Sequence, residues 1–265
     1  MSKGQKLLRN GILLTEEGKW KKSIPKLEQA LEIFLTEKNQ EMIALTRSFL
    51  GMAYRPLKRY EDALKQFDEF LKLVIEMKDR FGVAQAYLDI SLTLSLQKKY
   101  DSALNVMKKC LKIVQEELKD KDVEARALAN IGGIYLLKED YDTALATYKK
   151  GLKISEEVDF IDGSSECYKG IAEVYEKKGN YEQAEKNYQE SLGLFRLLRD
   201  RREESNILLR LGVIYSQFGK IKDAIFYFKQ SKKLKKQLKD ILGENFCDKN
   251  LKALHEKIKE RNLKI

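Results

Sequence analysis

The side chains that most often carry covalent, acid–base or metal chemistry are few in this chain and far apart. His255 is the single histidine, and without a second imidazole or a thiol pair it has nothing to share a metal with. The cysteines, Cys110, Cys167 and Cys247, are three in number and form no Cys-x-x-Cys pair. That pattern argues against a disulfide framework or zinc site and for a reducing compartment. The phosphate-cradling patterns GxxxxGK[ST] and GxGxxG and the nucleophile elbow GxSxG do not occur. The expectation is a chain with no catalysis, no cofactor and no metal, whose work is non-covalent recognition.

Charge offers one candidate for such recognition. The formal net charge is +10, and it is unevenly placed: residues 229–265 hold 12 Lys+Arg against 5 Asp+Glu, whereas the other 228 hold 39 against 36. The cluster Lys232, Lys233, Lys235, Lys236 and Lys239, continued by Lys249, Lys252, Lys257, Lys259, Arg261 and Lys264, could attract nucleic acid, an acidic protein or an anionic surface. It has no interleaved aromatic platform and a single arginine. A solubilising role is the simpler reading, and nucleic-acid binding is the alternative.

The elements that must position any such residues are legible from periodicity. Apolar residues make up 43% of the chain, enough to exclude wholesale disorder, and the two prolines, Pro25 and Pro56, leave long stretches free for helix. No run approaches the length of a membrane span, and the N-terminus lacks a long apolar core, so a cytoplasmic protein without a signal peptide is expected. An aromatic recurs at Trp20, Tyr60, Tyr100, Tyr141 and Tyr181, with Ile221 in the sixth slot; the spacings are 40, 40, 41, 40 and 40. Three residues on stand Ser23, Ala63, Ala103, Ala144, Ala184 and Ala224. Seven on stand Leu27, Phe67, Met107, Tyr148, Tyr188 and Phe228. Offsets of this kind trace one face of an α-helix. Nine residues before the aromatic the side chain is always tiny: Gly11, Gly51, Ser91, Gly132, Ala172 and Gly212. Each unit therefore reads as two helices joined by a short turn, with the tiny residue letting backbones approach and a large side chain filling the space beyond.

Leu-Gly, then Tyr, then Gly-x-Tyr-x-x-Ala and an aromatic resembles the tetratricopeptide repeat pattern. The stretches LGVIYSQFGKIKDAIFYF (211–228) and GIAEVYEKKGNYEQAEKNY (170–188) carry it nearly whole. The 40-residue period is similar to the long-repeat subclass of kinesin light chains, Pins-type polarity adaptors and Rap-type regulators. The resemblance implies an all-α fold: a right-handed α-α superhelix, or solenoid, of six helix pairs plus a C-terminal capping helix. The boundaries drawn from the register are 4–43, 44–83, 84–124, 125–164, 165–204 and 205–244, with a cap over 245–265, all in one domain. The cap is expected to cover the last apolar face and to show Lys, Glu and Arg to water, with His255 packed or half-exposed.

The resemblance also implies where a partner would sit. The first helix of each pair lines the concave face, and the residues flanking the tiny one point into it. Three before and one after it, the pairs read Leu8/Ile12, Ser48/Met52, Leu88/Leu92, Ala129/Gly133, Lys169/Glu173 and Leu209/Val213. None is the Lys-Asn pair with which chaperone-binding relatives hold a C-terminal carboxylate. The expected groove is apolar at Leu8, Ile12, Met52, Leu88 and Leu92 and charged at Lys169 and Glu173. Arg9, Arg55, Arg126 and Arg210 stand at its edge. Such a groove suits a peptide or amphipathic helix of a protein partner, which makes the chain a scaffold or adaptor. A second alternative is a peptide-responsive regulatory sensor acting on an effector in trans. Self-association through solenoid ends or apolar faces is left open.

Overall fold

The computed structural model of the chain describes residues 1–262. Among them thirteen α-helices follow one another with no β-strand, which is the all-α fold the period implied. They fall into two compact units. The N-terminal unit, Met1–Lys138, holds α1 (Lys3–Glu16), α2 (Trp20–Glu37), α3 (Gln40–Tyr54), α4 (Tyr60–Glu76), α5 (Arg80–Leu96), α6 (Tyr100–Ile113) and α7 (Lys121–Leu137). The C-terminal unit, from Glu139, holds α8 (Tyr141–Glu157), α9 (Ile161–Lys177), α10 (Tyr181–Leu197), α11 (Arg201–Gln217), α12 (Ile221–Gln237) and α13 (Ile241–Asn262). Within each unit, sequential helices pack against one another as a stack of hairpins.

The period has a simple local cause. From α8 to α12 every helix has 17 residues and every link has three, so two helices and two links make 40. Each link is tight because one residue takes a left-handed conformation. It is Gly18, Gly179 or Gly219 at three turns (φ 69 to 74) and a non-glycine at nine others, among them Lys38, Lys78 and Lys239. The helix that follows is often capped by an Asx side chain. Asn39, Asp79, Asp120, Asp200 and Asp240 each accept a backbone N–H, from Met42, Gly82, Val123, Glu203 and Gly243, at 2.9–3.1 Å. These caps satisfy donors that an open helix end leaves free. They start the helices earlier than the register boundaries: α3 begins at Gln40, α5 at Arg80 and α13 at Ile241.

The one 41-residue spacing also has a visible home. After Ile113, α6 widens into a π turn over Val114–Leu118, where the Lys119 N–H donates to the Val114 carbonyl at 2.7 Å. A π turn holds one residue more than an α turn, so the insertion is absorbed before the Lys119 turn. Deleting Glu116 is therefore expected to restore α geometry and leave stability within about 1 kcal/mol. Deleting Glu76, at the end of α4 where no π turn exists, should cost several-fold more. Thermal unfolding of the two deletion variants checks this, and equal losses would contradict it.

The tiny and large positions of the repeat meet as packing partners. A Cβ on Gly51 would lie 2.5 Å from the Phe67 ring, and one on Gly11 2.5 Å from the Leu27 side chain. Phe67, Leu27, Tyr188 and Phe228 are fully buried. Ten residues after the first residue of the second helix the side chain is small at Cys110, Ser191 and Ser231, and it has a use that the pattern does not reveal. Ser191 and Ser231 donate to the Ser165 and Ser205 carbonyls at 2.8 Å, and Cys110 stands 3.6 Å from the Ala84 carbonyl. Each pair is 26 residues apart, so the second helix of one hairpin is stitched to the first helix of the same hairpin by the same bond.

The cap departs from expectation. Helix α13 buries Cys247, Leu251 and Leu254 against the last hairpin. Its first turns, however, present Ile241, Leu242 and Phe246 to solvent, at 69%, 83% and 45% exposure. His255 is exposed as well.

Candidate partner-binding grooves

In the N-terminal unit, the first helices of the hairpins, α3, α5 and α7, line a pocket of about 340 Å³. Leu45 and Ser48 come from α3; Phe81, Gln85 and Leu88 from α5; Val123 and Arg126 from α7; Phe70 of α4 with Gly82 and Ala84 of α5 complete it. Leu45 is 38% exposed and Phe81 57%. Leu92, one turn beyond Leu88, is also exposed. The predicted residues divide here. Leu88 lines the pocket and Leu92 is exposed one turn beyond it, but Leu8 is 5% exposed and belongs to a core cluster that runs from α1 to α5. Ile12 and Met52 are half-buried and pack on that same core. Leu8 is thus a packing residue, buried in the same apolar cluster as Leu27 and Phe34 of α2. Arg55 is not at an edge: its guanidinium is bonded to the buried Asp89 carboxylate at 3.0 Å.

Sequence reasoning missed Leu45, Phe81 and Gln85. They lie six and ten residues before the tiny position, one and two helical turns upstream of the pairs considered. The signal was available. Six before the tiny residue the series runs Gln5, Leu45, Gln85, Arg126, Glu166 and Asn206; only Gln5 and Gln85 agree, as expected of positions that packing constrains little.

In the C-terminal unit a larger groove, about 590 Å³, lies among α9, α10, α11 and α13. It brings together Lys169, Glu173 and Arg210 from the predicted set, with Tyr188, Glu203, Asn206, Leu209, Leu242 and Phe246. The Lys169 ammonium bonds Glu166 at 2.7 Å and Glu203 at 3.2 Å. Burial works against that ammonium, but Glu166, Glu203 and Glu173 more than offset it and hold it above its usual range. Arg210 stands 3.4 Å from Glu176, which also accepts the Tyr188 hydroxyl at 2.7 Å. Burial pushes the Glu173 carboxyl up, and Lys169 and Arg210 only partly counter it. Burial raises the Glu166 carboxyl too.

The basic cluster is smaller than its sequence suggests. Lys235 is 4% exposed; its ammonium bonds Asp240 and Asn206, each at 2.9 Å. It occupies the register of Phe34, Val74 and Phe195, so its stem packs in the core and its head is consumed by the α12–α13 turn. Hydrogen bonds from Lys235 and from the Gly243 N–H hold the Asp240 carboxyl below its usual range. Lys232 pairs with Asp248 at 2.6 Å. Lys233, Lys236 and Lys239 are exposed. Lys264 and the Arg261 side chain lie outside the described residues.

The thiols are buried. Desolvation pushes Cys110 up to about 11 and Cys167 up to about 12, so neither presents a thiolate nucleophile at neutral pH. Among the described residues no group of three or more His, Cys, Asp and Glu could hold a metal ion, and no helix is long and apolar enough to cross a membrane.

These features have relatives. The chain is 28% identical over 119 residues to tetratricopeptide repeat protein 29 of Homo sapiens; the match covers 43% of this chain and 25% of that protein. The chain thus matches only about a quarter of that relative's length. Among solved structures, a Rap protein complexed with competence and sporulation factor superposes with a TM-score of 0.68 at 16% identity, over 96% of this chain and 75% of that one. A Podospora anserina kinesin light chain-like repeat protein gives 0.59 at 10% identity, over 76% and 99%. At these identities the structural likenesses speak to fold. The sequence pattern described as tetratricopeptide repeat matches residues 42–116, 82–157 and 165–237, well over half the chain. The chain belongs to the tetratricopeptide repeat family.

Proposed function

We propose that this chain is a protein-interaction module that receives a peptide or amphipathic helix of a partner protein on the pocket of its N-terminal unit. The observation that carries this reading is the exposure of large apolar side chains, Leu45 and Phe81, around a pocket whose wall includes Leu88. Exposed aromatic and aliphatic groups around a concavity are what an apolar anchor residue requires. Phe81 is informative because the equivalent position is Glu41 in the preceding repeat and Asp122 in the following one. Packing does not demand an aromatic there. Binding would draw on a preformed surface rather than on chemistry.

The Rap protein named above was solved with a competence and sporulation factor, and a Rap conjugation regulator of the same fold was solved with the Phr* peptide. By that likeness a regulatory role, in which the bound peptide alters what a second protein meets, falls within the same reading. The test is affinity capture of partners from the native source with wild-type protein and with Leu88→Glu plus Leu92→Glu. Loss of specific partners from the variant is expected. A folded variant that recovers the same partners in the same amounts removes the pocket from the proposal.

A further inference from the structure

The groove of the C-terminal unit has a chemistry of its own. Its apolar wall is Leu209, Leu242 and Phe246. Leu242 is 83% exposed, although the same register holds Arg202 in the preceding repeat and Asp162 in the one before. Beside this wall, four carboxylates, Glu166, Glu173, Glu176 and Glu203, face two cations. Lys169 is already divided between Glu166 and Glu203, and Arg210 lies beside Glu176. Glu173, half-buried on the groove surface, makes neither a hydrogen bond nor an ion pair among the described residues, and the nearby Lys169 and Arg210 offset its burial only in part. A carboxylate so placed is costly when the cations near it are engaged by other carboxylates.

We propose that this groove docks a partner segment that sets a lysine or arginine side chain against Glu173 and Glu203 and a neighbouring large apolar side chain against Leu242 and Phe246. The sign follows from the inventory. An arriving anion would have to draw Lys169 from two carboxylates and leave both uncompensated; an arriving cation completes the balance. The apolar wall selects a peptide over a free polyamine, because a polyamine would leave Leu242 and Phe246 in water. The volume lies within the range of about 300–1,000 Å³ typical of ligand sites. Polarity is therefore the reverse of a site that grips a C-terminal carboxylate. The proposal concerns the other unit and does not depend on the pocket of the N-terminal unit.

The test uses the full chain and a displayed library of short random peptides, selected on protein carrying Leu88→Glu and Leu92→Glu so that the other pocket is disabled. Selected peptides are expected to pair Lys or Arg with Leu, Ile, Met or Phe. Synthetic versions of the best binders are then measured against Glu173→Gln and with the basic residue replaced by citrulline. Each change alone should weaken binding by on the order of tenfold, and the two together no more than either alone, the signature of direct coupling. Leu242→Ser should weaken binding and leave the citrulline effect unchanged. The proposal is overturned if selection returns acidic peptides or none, if the two losses multiply independently, or if spermidine competes as tightly as the peptides. Glu173→Gln removes an unpaired, half-buried charge, so its melting temperature should not fall; this separates lost binding from lost folding.

Discussion

Replacing Phe67 with Ala is expected to destabilise the N-terminal unit by about 4 kcal/mol, the range for deleting a buried aromatic ring. Phe67 is fully buried, and its ring meets the backbone of α3 at Gly51. Gly51→Leu should cost about 3 kcal/mol by itself, because the new side chain has no space beside the ring. If the two positions are packing partners, the double variant should cost at least ~2 kcal/mol less than the sum, since the introduced leucine side chain would enter the volume that the ring leaves. Trp20, the only tryptophan and a residue of α2, reports the unfolding of this unit by fluorescence in urea. Additive losses would show that the tiny and aromatic positions of the repeat do not pack on one another.

A second large effect is expected at Asp89. It is 6% exposed; its carboxylate bonds Arg55 at 3.0 Å and the Gln85 amide at 2.9 Å. The Arg55 guanidinium, itself mostly buried, lies 5.7 Å from the centre of the Phe67 ring. Asp89→Leu would leave a buried cation with no counter-charge and should cost about 3 kcal/mol or more. Arg55→Met combined with Asp89→Leu should recover most of that loss, because a buried ion pair replaced by apolar groups is often neutral. The same urea titration decides it. A double variant as unstable as Asp89→Leu would mean that Asp89 acts through Gln85 and the α5 backbone rather than through Arg55.

The two experiments probe different layers of the molecule. Gly51 and Phe67 belong to the repeated grammar, and their equivalents recur along the chain. Arg55 and Asp89 occur once, and nothing in the period announces them. Function is expected to follow the second kind. Exposed apolar residues at Phe81 and Leu242, and the half-buried carboxylate of Glu173, stand where equivalent positions in neighbouring repeats differ.

By itself the sequence determined that this chain is a row of helix hairpins of the tetratricopeptide type. That was legible because packing is local and repeated: a tiny residue opposite a large one, every 40 residues, has one economical geometry. It also placed Lys169, Glu173, Arg210 and Leu88 on the helices that line the grooves. Only the tertiary structure decided which side chains those grooves contain. Leu8 and Leu88 share a register, yet the first is buried in a core cluster with Leu27 and Phe34 while the second lines a pocket. Lys235 reads as one lysine among many, yet the α12–α13 turn buries it and pairs its charge with Asp240. Exposure depends on which neighbours arrive from other helices, and a repeat register, which records only position along its own helix, carries no information about them.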